Sequence, residues 1–390
     1  MNRRKVTTLM SLVVSLVVFI SLLAFSANTV SASDLSRNEN IISDSKLENN
    51  ISSPYIDSEG KSLSPENAQK VEELLGSLKK IEGFAVFANE LSQTNHLIEG
   101  NICVNKAIPH TNIVLSRVYE VEPNDYSYIG DTTSPIQITG NSDFELAPIN
   151  VGPNIKVEQP NKNQTIINGG YSTNILATEL TDEEYINATS LINSVLDNLA
   201  SIGDAIKYEA DTSFYEDQTD SFSSINKLLK NNVAKNGDVV CINVDYTQLI
   251  NNEGSFGYLI NNNSGTCIVV NVITDNSPTI NIQKGFTTNT NVSTEFNQLS
   301  PYIIWNFGSY AGSINISEEI IVAPKAQVFQ ASGNLNGEIV ASIAGSNGEI
   351  HQVSVTPDIP TSEVVEPNPT PEVVEPSQTP EAVEPSQTPE

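Results

Sequence analysis

Hydrophobic and polar positions change their period several times along the chain, and each change marks an element. In "SPENAQKVEELLGSLKKI" (residues 64–81), Val71, Leu74, Leu75, Leu78 and Ile81 recur at three- and four-residue spacing, which is one face of a helix. Ser64 stands where an N-cap belongs, and Pro65 fits the first helical position. From Gly83 the period drops to two, so "GFAVFANELSQTNHLIEGNICVNKAI" reads as short strands with polar breaks. Residues 111–178 continue as segments punctuated by Pro, Asn and Gly, with weak strands such as "SPIQITG" and "QTIINGG". One strong helix interrupts them. "TDEEYINATSLINSVLDNLASIGDAIKYE" opens with a Thr181/Glu184 capping box. Ala188, Leu191, Ile192, Val195, Leu199, Ile202 and Ile206 then give it an apolar face that must pack against something. A weaker helix is expected around residues 221–231.

From Gly237 to about Val355 the strands return. They include "DVVCINVDY", "TCIVVNVIT", "TINIQ", "YIIWNFG", "SINIS", "EEIIVAP", "AQVFQ", "GEIVASI" and "EIHQVSV". Strands this short, joined by Gly, Asn and Ser turns, suit a β-solenoid or a tightly turned sandwich. In the solenoid reading, Gly333, Gly337, Gly345 and Gly348 serve corners, while Ile321, Val328, Leu335, Ile339 and Ile343 fill the interior.

The two ends are different material. Arg3, Arg4 and Lys5, an apolar run over Leu9–Phe25 and the small residues Val30, Ser31 and Ala32 form a secretory signal peptide over residues 1–32. An uncleaved N-terminal anchor is the rival reading, because the run approaches the ~20 residues a span requires. Residues 33–63 are polar and aperiodic, a flexible leader. Residues 64–357 hold the folded domain. Residues 358–390 carry the nine-residue repeat "EVVEPNPTP", "EVVEPSQTP", "EAVEPSQTP". Proline at that density favours extended polyproline II, with a reach on the order of 80 Å. This segment is expected to be a stalk or wall-crossing spacer. The chain stops at Glu390, the first residue of another repeat, which suggests truncation before an anchor.

Composition narrows the function. Forty-seven acidic against nineteen basic residues leave a net charge of −28, which opposes nucleic acid and anionic lipid as partners. The bland reading is a solvated acidic surface. Cys103, Cys241 and Cys267 all sit in β-like apolar runs and read as small buried hydrophobes; one disulfide with a spare thiol is the alternative in an oxidising compartment.

Candidate chemistry is sparse. His96, His110 and His351 are the only histidines, and no two have a metal-ligand spacing. The chain contains no G-x-S-x-G, C-x-x-C, H-E-x-x-H, P-loop or EF-hand pattern. "TDEEY" and "EPNDYSYIGD" could bind Ca²⁺, but a helix start and a solvated loop explain them more simply. Trp305, the single tryptophan, lies on one strand face with Ile303 and Phe307, a core pattern before a ligand-stacking one. His351 reads as a turn or surface residue ending the last strand. No catalytic, cofactor-binding or metal-binding residue is assigned, and the ligand-binding residues stay open.

"IIWNFGSYAGSINI", "EEIIVAPKAQV", "ASGNLNGEIVAS" and "NGEIH", in that order, resemble the C-terminal half of the choice-of-anchor A domain. "GFAVFANELSQTNHLIEGNICV" is similar to its opening, and "TCIVVNV" to an internal strand. The resemblance covers roughly residues 81–355, and its most specific part runs from Trp305 to His351. Gly308 stands where the family often has Pro, Glu318-Glu319 replace its usual Gly-Ser, and residues 111–174 match nothing in it. The resemblance implies a mainly β protein, a right-handed β-helix with a long flanking α-helix, similar to ice-binding-like folds. It also implies an exported bacterial protein whose adhesive head binds an extracellular glycan or a matrix or surface protein without turnover, held to the cell wall by a C-terminal anchor. The alternatives are an ice or mineral binder, a polysaccharide lyase or hydrolase on the same fold, and a purely structural envelope protein. An ice binder needs a regular row of Thr or small polar residues; an enzyme of that kind needs clustered Asp, Arg or Lys.

Overall fold

The computed structural model describes residues 53–57, 59–92, 97–108, 113–116, 126–139, 147–161, 164–173, 175–206, 237–246, 266–274, 277–282, 303–316, 318–330 and 334–351. The chain divides into two compact units, Met1–Ile359 and Pro360–Glu390, and the second lies wholly outside the described residues, as do the expected signal peptide, the Pro-rich repeat and the weak helix near residue 225.

Both strong helices form where their caps place them. α1 spans Pro65–Lys80, with the Ser64 side chain accepting from the Asn67 N–H. α2 spans Asp182–Ala205 behind a complete capping box. The Thr181 N–H donates to Glu184 Oε2 at 2.8 Å, and the Glu184 N–H donates to Thr181 Oγ1 at 3.3 Å. All five expected apolar positions of α1 are buried. On α2 the buried stripe is rotated: Leu196 is buried, while Leu191 and Val195 are half-exposed.

The strands are, in chain order, β1 (Tyr55–Ile56), β2 (Phe84–Leu91), β3 (Leu97–Glu99), β4 (Asn101–Ala107), β5 (Ile113–Ser116) and β6 (Ser127–Asp131). Then come β7 (Ile136–Thr139), β8 (Ala147–Val151), β9 (Val157–Asn161), β10 (Gln164–Ile167), β11 (Gly170–Thr173) and β12 (Ile175–Glu179). After α2 follow β13 (Val239–Asp245), β14 (Cys267–Ile273), β15 (Thr279–Asn281), β16 (Ile303–Asn306), β17 (Ser313–Asn315), β18 (Glu318–Gln330), β19 (Leu335–Ser346) and β20 (Ile350–His351). β6 takes up the end of the acidic stretch expected to be a loop. β18 joins two expected strands into one element, with a register shift between Ala323 and Gln327.

Most pairings are parallel, and they build three ladders. The longest runs β1–β13–β14–β16–β18–β19–β2–β4–β6–β8–β12. A second joins β15 and β17 to the C-terminal halves of β18 and β19, then to the ends of β2, β4 and β6. A third joins the start of β19 to β20, β3, β5, β7 and β11. Parallel stacking of this kind is consistent with a solenoid. Chain order and stacking order differ: β1 lies at one end of the longest ladder beside β13, and after α1 the chain enters the middle at β2 and builds outward to β12. α2 then returns the chain past the starting point, and β13 to β19 fill the other half.

Alternation along the strands explains the packing. Ile242, Val270, Trp305, Ile321, Ile339, Val86 and Ile102 are in register and buried in one core. The intervening residues, such as Cys241, Val269, Ile304 and Ile320, point the other way, into a second core shared with α1 and α2. Buried on both faces, these strands read as continuous Val/Ile runs. Cys103, Cys241 and Cys267 are all buried in the second core.

Two interior assignments change. Ile321, Val328, Leu335 and Ile339 are fully buried, but Ile343 is half-exposed and Ala344 takes the interior place. Ile343 follows a bend that β19 shares with β2: Ala341, Ile343 and Ala344 stay in register with Ala88, Glu90 and Leu91, and past the bend Leu91 and Ala344 take the interior while Glu90 and Ile343 do not. Gly337 (φ 154°) stands between the part of β19 paired to β20 and the part in the longest ladder, as a corner requires. Gly345 is a strand residue: a Cβ there would lie 2.3 Å from the Ser92 carbonyl oxygen. Gly333 lies outside the described residues.

One position breaks the apolar rule. Glu338 pairs with Ile320 in the row that faces the helices, and it is buried. Burial, and secondly the Glu82 carboxylate, hold its carboxyl well above its ordinary value of 4.5. The folded chain therefore keeps a proton that the unfolded chain loses, so stability falls as pH rises from that ordinary value through the raised one. Glu338→Gln removes the titration and keeps the shape. Urea denaturation should show the variant near wild type at about pH 4 and more stable at about pH 8. Trp305, 1% exposed and packed with Ile303 and Phe307, tests the other core. Trp305→Ala should cost about 3–5 kcal/mol in the same titration.

Candidate functional site

The row of the longest ladder that faces the helices changes character where α2 ends. In register it reads Asn243, Asn271, Asn306, Val322, Val340, Phe87, Cys103 and Tyr128. Beneath the helices the residues are apolar or aromatic. Past the last turn of α2 they are three buried asparagines, each at most 5% exposed.

An asparagine can be buried only with its amide satisfied. Asn271 Nδ2 donates to Asn243 Oδ1 at 3.1 Å, and Asn306 Nδ2 to Asn271 Oδ1 at 2.8 Å. Asn306 Nδ2 also reaches the Gly203 carbonyl at 3.3 Å, one of the acceptors a helix C-terminus leaves without an internal partner. Asn306 Oδ1 accepts from the Gly308 N–H at 3.2 Å. The ladder thus fastens α2 to the turn after β16.

That junction is close. A Cβ on Gly203 would lie 2.5 Å from Asn306 Oδ1, and one on Gly308 would lie 2.3 Å from Asp204 Oδ1. Gly308 also has φ +55°, so the glycine that departs from the resemblance suits the left-handed turn. Asp204 sits in the last turn of α2, where the helix dipole disfavours an anion and where no basic residue stands. Its Oδ1 instead accepts the Ser309 N–H at 2.9 Å. Tyr310 closes the turn by donating to the Ser277 carbonyl at 2.8 Å.

A cavity of about 680 Å³ opens at this junction. Its wall is polar along Asp204, Asn243, Asn271, Asn306 and Ser309, and apolar along Val272, Ile273 and Phe307. Ile273 is 40% exposed, unusual for a large aliphatic side chain next to a core. Volumes of 300–1,000 Å³ with a few fixed polar groups are the usual form of a small-ligand site.

The second ladder offers a different surface. Its outward row reads Thr279, Ser313, Gln327, Ile343, Glu90, Lys106 and Asp131 in register. Hydroxyl, amide, aliphatic and charged groups follow one another with no repeat. His351 lies elsewhere. It ends β20, with Nδ1 2.5 Å from Glu99 Oε2 and Nε2 3.0 Å from Asn334 Nδ2, and it ties the last described strand to β3. His96 and His110 lie outside the described residues. Among the described residues, no group of three or more His, Cys, Asp and Glu is placed to hold a metal ion. No described helix is long and apolar enough to cross a membrane.

Residues 306–312 of the cavity wall lie within the "IIWNFGSYAGSINI" stretch quoted for the resemblance, but nothing in that stretch pointed to a cavity. The junction joins Asp204 to Ser309, 105 residues apart in the chain, and no pattern in the sequence links the two positions.

A family model described as "Putative Ice-binding-like adhesive domain" matches residues 77–352. That is well over half of the chain, which therefore belongs to this family of ice-binding-like adhesive domains, a close naming variant of the choice-of-anchor A resemblance. No curated protein and no solved structure matches it. Membership points to attachment as the role and to surface display.

The junction makes a direct prediction. Gly308→Ala should destabilise the protein by roughly 1–3 kcal/mol, the range for a non-glycine residue held in a left-handed conformation. Asp204→Ala should recover part of that loss by removing the atom the new Cβ strikes. A double-mutant cycle from denaturant midpoints measures the coupling.

Proposed function

We propose that the chain is the adhesive head of an exported bacterial surface protein, binding an extracellular glycan or protein without turnover. Membership of the adhesive-domain family over residues 77–352 carries the reading. The parallel ladders support a right-handed β-helix with α2 packed along it, since parallel crossovers are right-handed in nearly all folds. Residues 1–32 act as the signal peptide, and residues 358–390 as an extended acidic spacer leading toward a wall anchor.

The physical case is rigidity. Two cores sandwich the longest ladder, so the surface residues stand on a frame that cannot follow a ligand. Binding on such a frame loses little conformational entropy. The irregular outward row of the second ladder favours a glycan or protein over an ordered crystal surface, which needs a repeat. The mature chain, from residue 33, applied to glycan and matrix-protein arrays should give saturable binding to at least one spot. Release of reducing ends from a polysaccharide panel would instead identify an enzyme and end the adhesin reading.

A further inference from the structure

We propose that the cavity beside the C-terminus of α2 is the ligand pocket, and that it takes a neutral saccharide unit. This rests on the adhesive reading and assigns that reading a place and a chemistry.

The first observation is charge. Asp204 is the only formally charged side chain among the described residues that line the cavity, and the chain carries a net charge of −28. A uronic, sialic or phosphorylated sugar would meet a carboxylate with no lysine or arginine beside it among the described lining residues, and would approach through a repulsive field. A neutral polyol meets neither penalty. The second observation is the mixed wall. Sugar rings offer hydroxyl groups at their edges and C–H groups on their faces, so a site for them needs hydrogen-bonding groups beside apolar area. Asp204, Thr274 and Ser309 supply the first; the exposed Ile273, Pro278 and Ala311 supply the second.

The third is preorganisation. The asparagine ladder is buried and hydrogen-bonded along its length, and Asp204 is held by the Ser309 N–H. These groups are already ordered, so a ligand need not order them. The carboxylate gives charge-assisted hydrogen bonds to hydroxyl donors, about twice as strong as neutral ones. Its position against the α2 dipole costs stability that the fold gains nothing from except the Ser309 contact, the kind of local conflict expected at a functional site. The fourth is size. A protein partner covers about 800 Å² of one surface, whereas this cavity is concave and matches one or two sugar rings.

The test uses the full mature chain and a panel of glucose, galactose, mannose, N-acetylglucosamine and their disaccharides, with glucuronic acid as the acidic comparator. Saturation-transfer NMR and calorimetry read the binding. At least one neutral sugar should bind saturably, and glucuronic acid should not. Asp204→Asn, which removes the charge, and Ala311→Trp, which fills the cavity from an exposed rim position, should each weaken binding about tenfold or more. Both should keep the wild-type circular dichroism. Gln327→Ala, on the second ladder, should bind as wild type. Sugar binding undiminished by Asp204→Asn and Ala311→Trp, or lost in Gln327→Ala, overturns the pocket but leaves the adhesive reading standing. Binding only to protein spots or only to glucuronic acid overturns the saccharide class. No binding to sugars, proteins or cell surfaces overturns the adhesive reading itself.

Discussion

Ile339 of β19 lies in register with Val86 of β2, two strands about 250 residues apart in the chain, and this pairing closes the stack. Together with the β19–β20–β3 pairing, it joins two half-stacks that would otherwise each end in an open parallel edge of the kind that invites aggregation. α2 makes the pairing possible. It follows β12, the outermost strand of one half, and its last turn meets β16 deep in the other. Its 24 residues span about 36 Å, enough for the six strand-to-strand steps from β8 to β16 at about 4.8 Å each. The helix therefore acts as the return path and as the lid of the second core. The cost is kinetic: contacts of such high sequence separation make for slow folding.

Double-sided burial follows from that placement. Each strand beneath α1 and α2 must be apolar on both faces, and the chain answers with "VVCINVD" and "CIVVNVI". Cysteine serves there as one more small hydrophobe. Where the helix ends, its cover ends too. The same row then needs residues that can be buried against backbone amides and carbonyls, and asparagine, with two donors and an acceptor oxygen, satisfies both. The asparagine ladder is thus a structural consequence of helix length, and the cavity is the space that the helix no longer covers.

Much of the fold was legible because it is local. Ser64, Thr181 and Glu184 fixed the starts of both helices through caps that act over three residues, and Trp305 with its neighbours declared a core face by alternation alone. What was not legible depends on parts of the chain that meet only in the folded state. Ile343 and Ala344 exchange faces at a bend that β19 shares with its neighbour β2, a turn of the stack that alternation along one strand does not announce. Leu196 replaces Leu191 in the buried stripe because the rotation of α2 is set by the ladder beneath it. Gly203 and Asp204 look like ordinary helix residues in sequence, and Gly308 only like a departure from the family pattern. Their roles appear only when the helix end and the turn after β16 come together.

Asp204 shows how a rigid frame can create selectivity at little cost. A carboxylate at a helix C-terminus is a mild electrostatic error, and an acidic chain makes it worse. In the proposed pocket, whose described lining holds no cation, the same group would act as a filter. It offers strong acceptors to any hydroxyl donor, while the overall negative field excludes acidic ligands before they arrive. The long-range charge decides what approaches, and the short-range carboxylate decides what stays. An adhesive domain whose scaffold cannot move has few other ways to discriminate, because it cannot close around a ligand after the encounter.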